Sequence, residues 1–281
     1  MIVAGSESQA LAARVAHESG DDLVEVEYER FPDGESLVRV PGIEDSRAVV
    51  VASTPTDETY IELLQTIDAC SDAERVDVVM PYMGYARQDK KFEEGEPVTA
   101  RALGRAVSDG VDSVTTVNVH EPSVLDWFDA ETQNLDAVSV LGEKLEDTVE
   151  SDSPIVLSPD AGAIELAESA QSVLGGEVDY LEKTRISGDE VEIQPKELSV
   201  EGREVVIVDD MVATGGTMST AVELLEEQGA EKVYAACVHP VFARNAVLRL
   251  YSAGVEEVVT TDTLKSGLDT VSVASLIADS L

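Results

Sequence analysis

Two adjacent carboxylates and a run of small residues, Val208-Asp209-Asp210-Met211-Val212-Ala213-Thr214-Gly215-Gly216-Thr217, are the stretch of this 281-residue chain best suited to chemistry. An apolar segment of strand type, Glu204 to Val208, leads into it, and an amphipathic segment of helix type, Met218 to Gln228, follows. A small-residue loop where a strand hands over to a helix turns several backbone N–H groups toward one point. The helix dipole adds partial positive charge there, so the loop is a cradle for phosphate. Asp209 and Asp210 beside it suit a pair of sugar hydroxyls or a magnesium ion. The combination suggests a site for a phosphorylated sugar.

Other polar clusters stand at the ends of apolar segments. Val76 to Met80 runs into Pro81-Tyr82-Met83-Gly84-Tyr85-Ala86-Arg87-Gln88-Asp89-Lys90-Lys91, and Ser113 to Val119 ends in His120. Ile155 to Leu157 ends in Ser158-Pro159-Asp160-Ala161-Gly162, and the segment from Val178 runs into Glu182-Lys183-Thr184-Arg185. In open α/β sheets ligands bind beyond the carboxyl ends of the strands, which is where these clusters fall. Each has an ordinary structural reading as well. A lone His at a strand end is commonly a hydrogen-bonded boundary residue. Asp160 before Ala-Gly caps a helix equally well. Lys183 and Arg185 suit surface ion pairs, and Phe31-Pro32-Asp33-Gly34-Glu35 is a preset turn.

The elements that must position these groups alternate. Strands are expected at residues 1–4, 23–28, 36–40, 47–52, 76–80 and 113–119, with helices at 59–69, 98–108, 123–128 and 138–149. A first helix, opened by a Ser6/Gln9 capping box, runs to Ser19 before Gly20. After Ser151-Asp152-Ser153-Pro154 the rhythm restarts. Strands are expected at 155–157, 178–181, 204–208, 232–238 and 256–260, helices at 163–174, 218–228 and 243–251, and a terminal helix at 271–281. The polar piece from Ser187 to Glu190 reads as a hairpin or loop, with Gly188 as a hinge. Alternation of this kind argues for an α/β protein with two doubly wound, mostly parallel sheets. The expected domains are 1–150, with the C-terminal helix packing back on the first, and 151–281.

Composition narrows the partners. Asp and Glu number 57 against 19 Lys and Arg, a net charge of −38, and seven of the cations are Lys. With 43% hydrophobic residues the chain has enough for full cores, so the acid belongs on a folded surface. A Lys-poor acidic surface is typical of salt-accumulating cells, where about 1 M salt shortens the Debye length to about 3 Å. Such a surface disfavours nucleic acid and anionic membranes. Runs of transmembrane length are absent from the sequence, and Met1-Ile2-Val3 opens as a strand rather than a signal peptide. Cys70 and Cys237 stand far apart in apolar contexts and read as buried thiols of a reducing cytoplasm.

The motifs also carry a family resemblance. Val208 to Thr217 resembles the phosphoribosyl-diphosphate (PRPP) signature of type I phosphoribosyltransferases. Tyr85-Ala86-Arg87-Gln88-Asp89-Lys90 and Phe31-Pro32-Asp33-Gly34-Glu35 resemble motifs of the ribose-phosphate pyrophosphokinase family. The similarity covers nearly the whole chain. It implies two domains of phosphoribosyltransferase-like fold and transfer of the diphosphoryl group of ATP to the anomeric hydroxyl of ribose 5-phosphate. By position it places Phe31, Asp33, Gly34, Glu35, Arg87, Gln88 and Asp89 at ATP, and His120 and Asp160 at Mg2+. Lys183 and Arg185 take the catalytic positions of a flexible loop. Arg185, Asp209, Asp210, Ala213, Thr214, Gly215, Gly216 and Thr217 fall at ribose 5-phosphate. It also implies a cytoplasmic homo-oligomer of at least two subunits, with a hexamer in range, because the Phe31 loop of the family reaches a neighbouring subunit.

One position departs from the pattern. Many relatives carry Asp where Ala213 stands, so only backbone is available there. The chain is also shorter than many bacterial relatives, whose phosphate and ADP regulation is not assumed. Two other readings compete. A phosphoribosyltransferase consuming PRPP would not need the Arg87-Gln88 and Asp33-Gly34-Glu35 elements. A non-catalytic family member would not need Lys183, Arg185, His120 and Asp209.

Overall fold

The computed structural model describes every residue except 44–46, 188–189 and 196–197, with backbone alone for 183–187, 190–194 and 269. Two compact units form, Met1–Asp136 with Ser272–Leu281, and Ala137–Val271. In the first unit the chain runs β1 (Ile2–Ala4), α1 (Gln9–Ser19), β2 (Leu23–Val24), β3 (Glu27–Arg30), β4 (Ser36–Arg39), β5 (Arg47–Val51), α2 (Asp57–Ala69), β6 (Arg75–Met80), α3 (Thr99–Val107), β7 (Ser113–Val117), a 3₁₀ turn at Pro122–Trp127 and β8 (Glu131–Leu135). Strands pair in the order β2-β1-β5-β6-β7-β8, all parallel. Ala48 to Val51 and Val76 to Met80 are buried throughout, which is why these strands read as apolar runs, broken only by Asp77.

Capping explains two helix ends. α1 stops at Gly20, whose φ of 76° is left-handed and whose N–H reaches Ala16 O. α2 starts at a Thr56/Thr59 capping box. The box expected at Ser6 and Gln9 does not form. Ser8 is the cap residue without a side-chain cap bond, and the Ser6 hydroxyl instead donates to Glu62.

The second unit comprises α4 (Val138–Thr148), β9 (Ile155–Ser158), α5 (Ile164–Leu174), β10 (Glu177–Ser187), β11 (Glu190–Pro195), β12 (Glu204–Met211), α6 (Gly216–Glu227), β13 (Lys232–His239), α7 (Ala246–Ser252), β14 (Val258–Thr261) and β15 (Asp269–Val271). Its sheet order is β11-β10-β9-β12-β13-β14-β15, parallel except for the β10–β11 hairpin. α4 packs on α5 and so belongs to this unit, which puts the division at 136/137 rather than near 150. The last helix, α8 (Ala274–Ala278), packs on α1 of the first unit. β2 and β3 are separate pieces where one strand was expected. β8, β11 and β15 are strands that the apolar pattern did not reveal.

One buried ion cluster ties the lower edge of the first sheet. Asp77 in β6 accepts from Arg47 Nε at 2.6 Å, Arg75 Nε at 3.0 Å and the Ser113 hydroxyl. Burial alone would raise its pKa, but the Arg75, Ser113 and Arg47 hydrogen bonds outweigh burial and hold the carboxyl below its usual range.

Candidate active site

In each unit one pair of neighbouring strands sends its connections in opposite directions, which opens a crevice at their carboxyl ends. In the second unit that pair is β9 and β12. β9 leads through α5 to β10 on one side, and β12 leads through α6 to β13 on the other. The register Ile207↔Leu157 brings the end of β9, with Asp160, alongside the end of β12, with Asp209 and Asp210. The small-residue loop after Asp210 therefore lies at the switch point of its own sheet.

The backbone of the cradle is held from outside. The residues after β13 fold against it, with Phe242 N–H donating to Val212 O at 2.9 Å and Ala243 N–H to Ala213 O at 2.8 Å. Phe242 and Arg244 take positive φ to do so, 40° and 61°. Gly215 has a φ of 73°, and a Cβ there would lie 3.2 Å from Ala246 O, so a side chain at this position would be strained. Gly215 caps α6 without any side-chain bond, and the first helical bond is Ser219 N–H to Gly215 O at 2.9 Å. The N–H groups of the first helical turn, from Gly216 to Met218, thus have no acceptor within the helix. Thr214 and Thr217 are exposed at the rim.

The acids carry the electrostatics. Asp209 is half-buried, and its Oδ1 accepts from Asp210 N–H at 2.9 Å. Burial first, then Asp210 and Asp160, push its carboxyl up to about 8. A site that crowds Asp210 and Asp160 around a carboxyl raised in this way favours a bound cation or a polyol that donates hydroxyls. Asp160 is exposed, and its Oδ1 accepts from Gly162 N–H at 2.8 Å, so it caps the turn before α5. Among the described residues no group of three or more His, Cys, Asp or Glu is placed to hold a metal ion. The neighbouring carboxylates of Asp209 and Asp210 suit magnesium, which is commonly held by one or two carboxylates together with substrate phosphates.

Lys183 and Arg185 stand in β10, paired across the hairpin with Ile193 and Val191. The backbone there is strand rather than open loop; the side chains of both residues, and Gly188, lie outside the described residues. His239, at the end of β13, is buried, with Nδ1 3.0 Å from Thr263 Oγ1, and stays structural.

In the first unit the switch pair is β1 and β5. There the crevice is packed shut, since a Cβ on Gly5 would stand 2.7 Å from Ala52 Cβ. Buried hydroxyls fill it: Ser53 N–H donates to Ser8 Oγ at 2.8 Å, Tyr82 N–H to Ser53 Oγ at 3.2 Å and Gly84 N–H to Thr54 Oγ1 at 3.2 Å. These residues carry no motif, yet they hold the loop that presents Arg87. Gly84 is required, because a Cβ there would come within 2.2 Å of Thr54 O. Tyr85 has a φ of 61°, and its hydroxyl donates to Asp57. Gln88 accepts from Thr99, Asp89 pairs with Lys90 at 3.8 Å, and Arg87 is exposed.

Phe31 to Glu35 form the turn between β3 and β4, closed by Phe31 N–H to Glu35 O at 2.8 Å and Gly34 N–H to Phe31 O at 2.9 Å. Phe31 is 48% exposed, a large apolar side chain held out into solvent. The hairpin is fastened by Tyr28 to Ala4 O, by Gln65 to Ser36 O at 2.9 Å and by an ion pair of Arg30 with Glu58. Arg30 and Tyr85 thus grip adjacent residues, Glu58 and Asp57, in the first turn of α2. The structure brings the anchors of the two first-unit motifs together there. His120 is exposed just beyond β7, after Asn118 with a φ of 37°.

Comparison with known proteins shows the family and the fold. Residues 1–108 match the family model of the N-terminal domain of ribose phosphate pyrophosphokinase, and residues 130–268 match that of the phosphoribosyl transferase domain. A ribose-phosphate pyrophosphokinase of Methanosarcina mazei is 48% identical over 281 residues, covering 100% of this chain and 94% of the relative. One of Halobacterium salinarum is 47% identical over 285 residues and covers both chains completely. The crystal structure of phosphoribosylpyrophosphate synthetase from Mycobacterium smegmatis superposes with a TM-score of 0.87 at 30% identity, covering 100% of this chain and 96% of that one. The chain belongs to the ribose-phosphate pyrophosphokinase family.

Proposed function

We propose that this chain transfers the diphosphoryl group of ATP to O1 of ribose 5-phosphate, giving AMP and PRPP. The observation that carries the reading is the cradle from Asp209 to Thr217 at the switch point of the second sheet, joined in one chain to the first-unit motifs. The N–H groups of Thr214 to Thr217 take the 5-phosphate, and Asp209 and Asp210 accept from the ribose hydroxyls. Ala213 contributes backbone only. Phe31, Asp33, Gly34, Glu35, Arg87, Gln88 and Asp89 bind ATP.

O1 of the sugar attacks the β-phosphorus, the bond to the α-phosphate oxygen breaks, and AMP leaves. Such transfer depends on positioning and charge stabilisation rather than covalent help. Lys183 and Arg185 supply positive charge to the transferring group. Mg2+ brought with the nucleotide would neutralise phosphate charge, and His120 and Asp160 are the residues that would hold it. The working form is a cytoplasmic oligomer of at least two subunits, with the Phe31 turn, exposed in the single chain, covered by a neighbour.

The test is AMP release by purified protein in high KCl with Mg2+, ATP and ribose 5-phosphate. Formation of AMP only when the sugar phosphate is present supports the reading. No AMP under these conditions overturns it.

A further inference from the structure

We propose that Arg249 of α7 binds the 5-phosphate of the sugar, completing the cradle with a side-chain cation; the proposal rests on the reading of Asp209 to Thr217 as the ribose 5-phosphate site. The sequence offers no hint of this, since the loop has no Lys or Arg of its own and Arg249 lies far along the chain. In space the two meet. A Cβ placed on Gly216 would lie 3.2 Å from Arg249 Nη1 and 3.8 Å from Thr214 Oγ1. Two side-chain donors therefore stand beside Gly216, the first residue of α6.

The electrostatics of that spot call for an anion. The N-terminus of α6 carries partial positive charge. A guanidinium set against it is repelled unless negative charge lies between them. Carboxylates could have filled the role, because this chain has three for every Lys or Arg, 57 against 19. Elsewhere they do so: Arg39 pairs with Glu27 and Glu29, Arg47 and Arg75 with Asp77, and Arg203 with Glu177. Arg249 has no carboxylate partner among the described residues. Both donors lie within reach of a phosphate seated at the start of α6.

The backbone fixes the guanidinium's approach. Ala243 N–H to Ala213 O ties the start of the α7 segment to the cradle, and Ala246 backs onto Gly215. Arg249 is three residues after Ala246, so both lie on the same face of α7, and Leu250 anchors that face in the core. Arg249 itself is exposed, able to meet a ligand arriving from solvent.

Calorimetric titration of the full chain with ribose 5-phosphate, and separately with ATP, at fixed high KCl tests this in wild type, Arg249→Ala and Arg249→Lys. Loss of one charge-assisted phosphate contact is expected to weaken ribose 5-phosphate binding about tenfold or more in Arg249→Ala. Arg249→Lys should recover part of the loss, because it restores the charge but not the planar fork. ATP binding and thermal midpoint should match wild type in both. Unchanged ribose 5-phosphate affinity in Arg249→Ala overturns the proposal. So does a parallel fall in ATP binding and thermal midpoint, which would make Arg249 a structural residue. Wild-type protein that binds ribose 5-phosphate but makes no AMP overturns the proposed reaction alone, and the titrations still decide Arg249. Wild-type protein that does not bind ribose 5-phosphate overturns both.

Discussion

Replacing Asp209 by Asn should make the ligand-free protein more stable at neutral pH while removing its grip on ribose 5-phosphate. The reason is the crowding of acid at the ends of β9 and β12. Burial, then Asp210, then Asp160 push the Asp209 carboxyl from 3.8 up to about 8. In the unfolded chain that strain is relieved. One pKa unit corresponds to about 1.4 kcal/mol, so at pH 7 the fold loses at most about 4 kcal/mol by holding this acid. Partial solvation of a half-buried group and relaxation around it reduce this to about 1–2 kcal/mol. The sign follows from the raised folded value: the stability is fully present below the ordinary carboxyl range and is lost as pH rises toward 8. Asn keeps the shape and never ionises. Thermal unfolding of magnesium-free protein in high KCl, followed from pH 5 to 8, should show the variant ahead by about 2–6 °C at pH 7–8. The gap should narrow as pH falls. Calorimetry on the same samples should show ribose 5-phosphate binding lost. A variant less stable than wild type at pH 8, or a gap that does not change with pH, would refute the argument that the cradle holds strained acid in readiness for its ligand.

Other consequences are equally measurable. Lys183→Ala should lower turnover about 10²–10³-fold, as expected for one lost transition-state donor, with ATP binding mostly retained; steady-state kinetics and ATP titration check it, and unchanged turnover would remove Lys183 from the mechanism. Asp77→Ala leaves the Arg47 and Arg75 guanidinium groups without their shared carboxylate and should cost about 3 kcal/mol in denaturant unfolding at pH 7. Because the Asp77 value is lowered in the fold, its contribution is present above the ordinary carboxyl range and lost on acidification through the lowered value, so the deficit of the variant should shrink in strong acid. Finally, a net charge of −38 should make the melting temperature climb with KCl; a midpoint independent of KCl would contradict the reading of the surface as salt-adapted.

Much of the architecture was legible because parallel strands buried on both faces read as Val and Ile runs, as in Ala48 to Val51 and Val205 to Val208. The cradle was legible because its small residues are contiguous. What escaped were elements whose reasons lie in their neighbours. In β8, Glu131 to Asn134 are exposed, so nothing apolar marks the strand and only its ladder to β7 makes it one. β11 also escaped, because its antiparallel ladder to β10 is a relation between segments rather than a local pattern. Ser6 has the right residue type for a cap, but Glu62 from another helix takes its hydroxyl, and Ser8 holds Ser53 instead. The unit boundary moved because α4, though it precedes the apparent linker, buries its apolar face on α5. Arg249 was invisible because its relation to Gly216 exists only after β13 and α7 fold back on the cradle.

The central claim is that the two terminal phosphates of ATP move together onto the sugar. Phosphorus NMR of the complete reaction, with Mg2+, ATP and ribose 5-phosphate in high KCl, tests it most directly. The account predicts AMP and a new diphosphate attached at the sugar's C1, formed in equal amounts, with the 5-phosphate signal retained. Accumulation of ADP with a singly phosphorylated C1, or no sugar product at all, would contradict it.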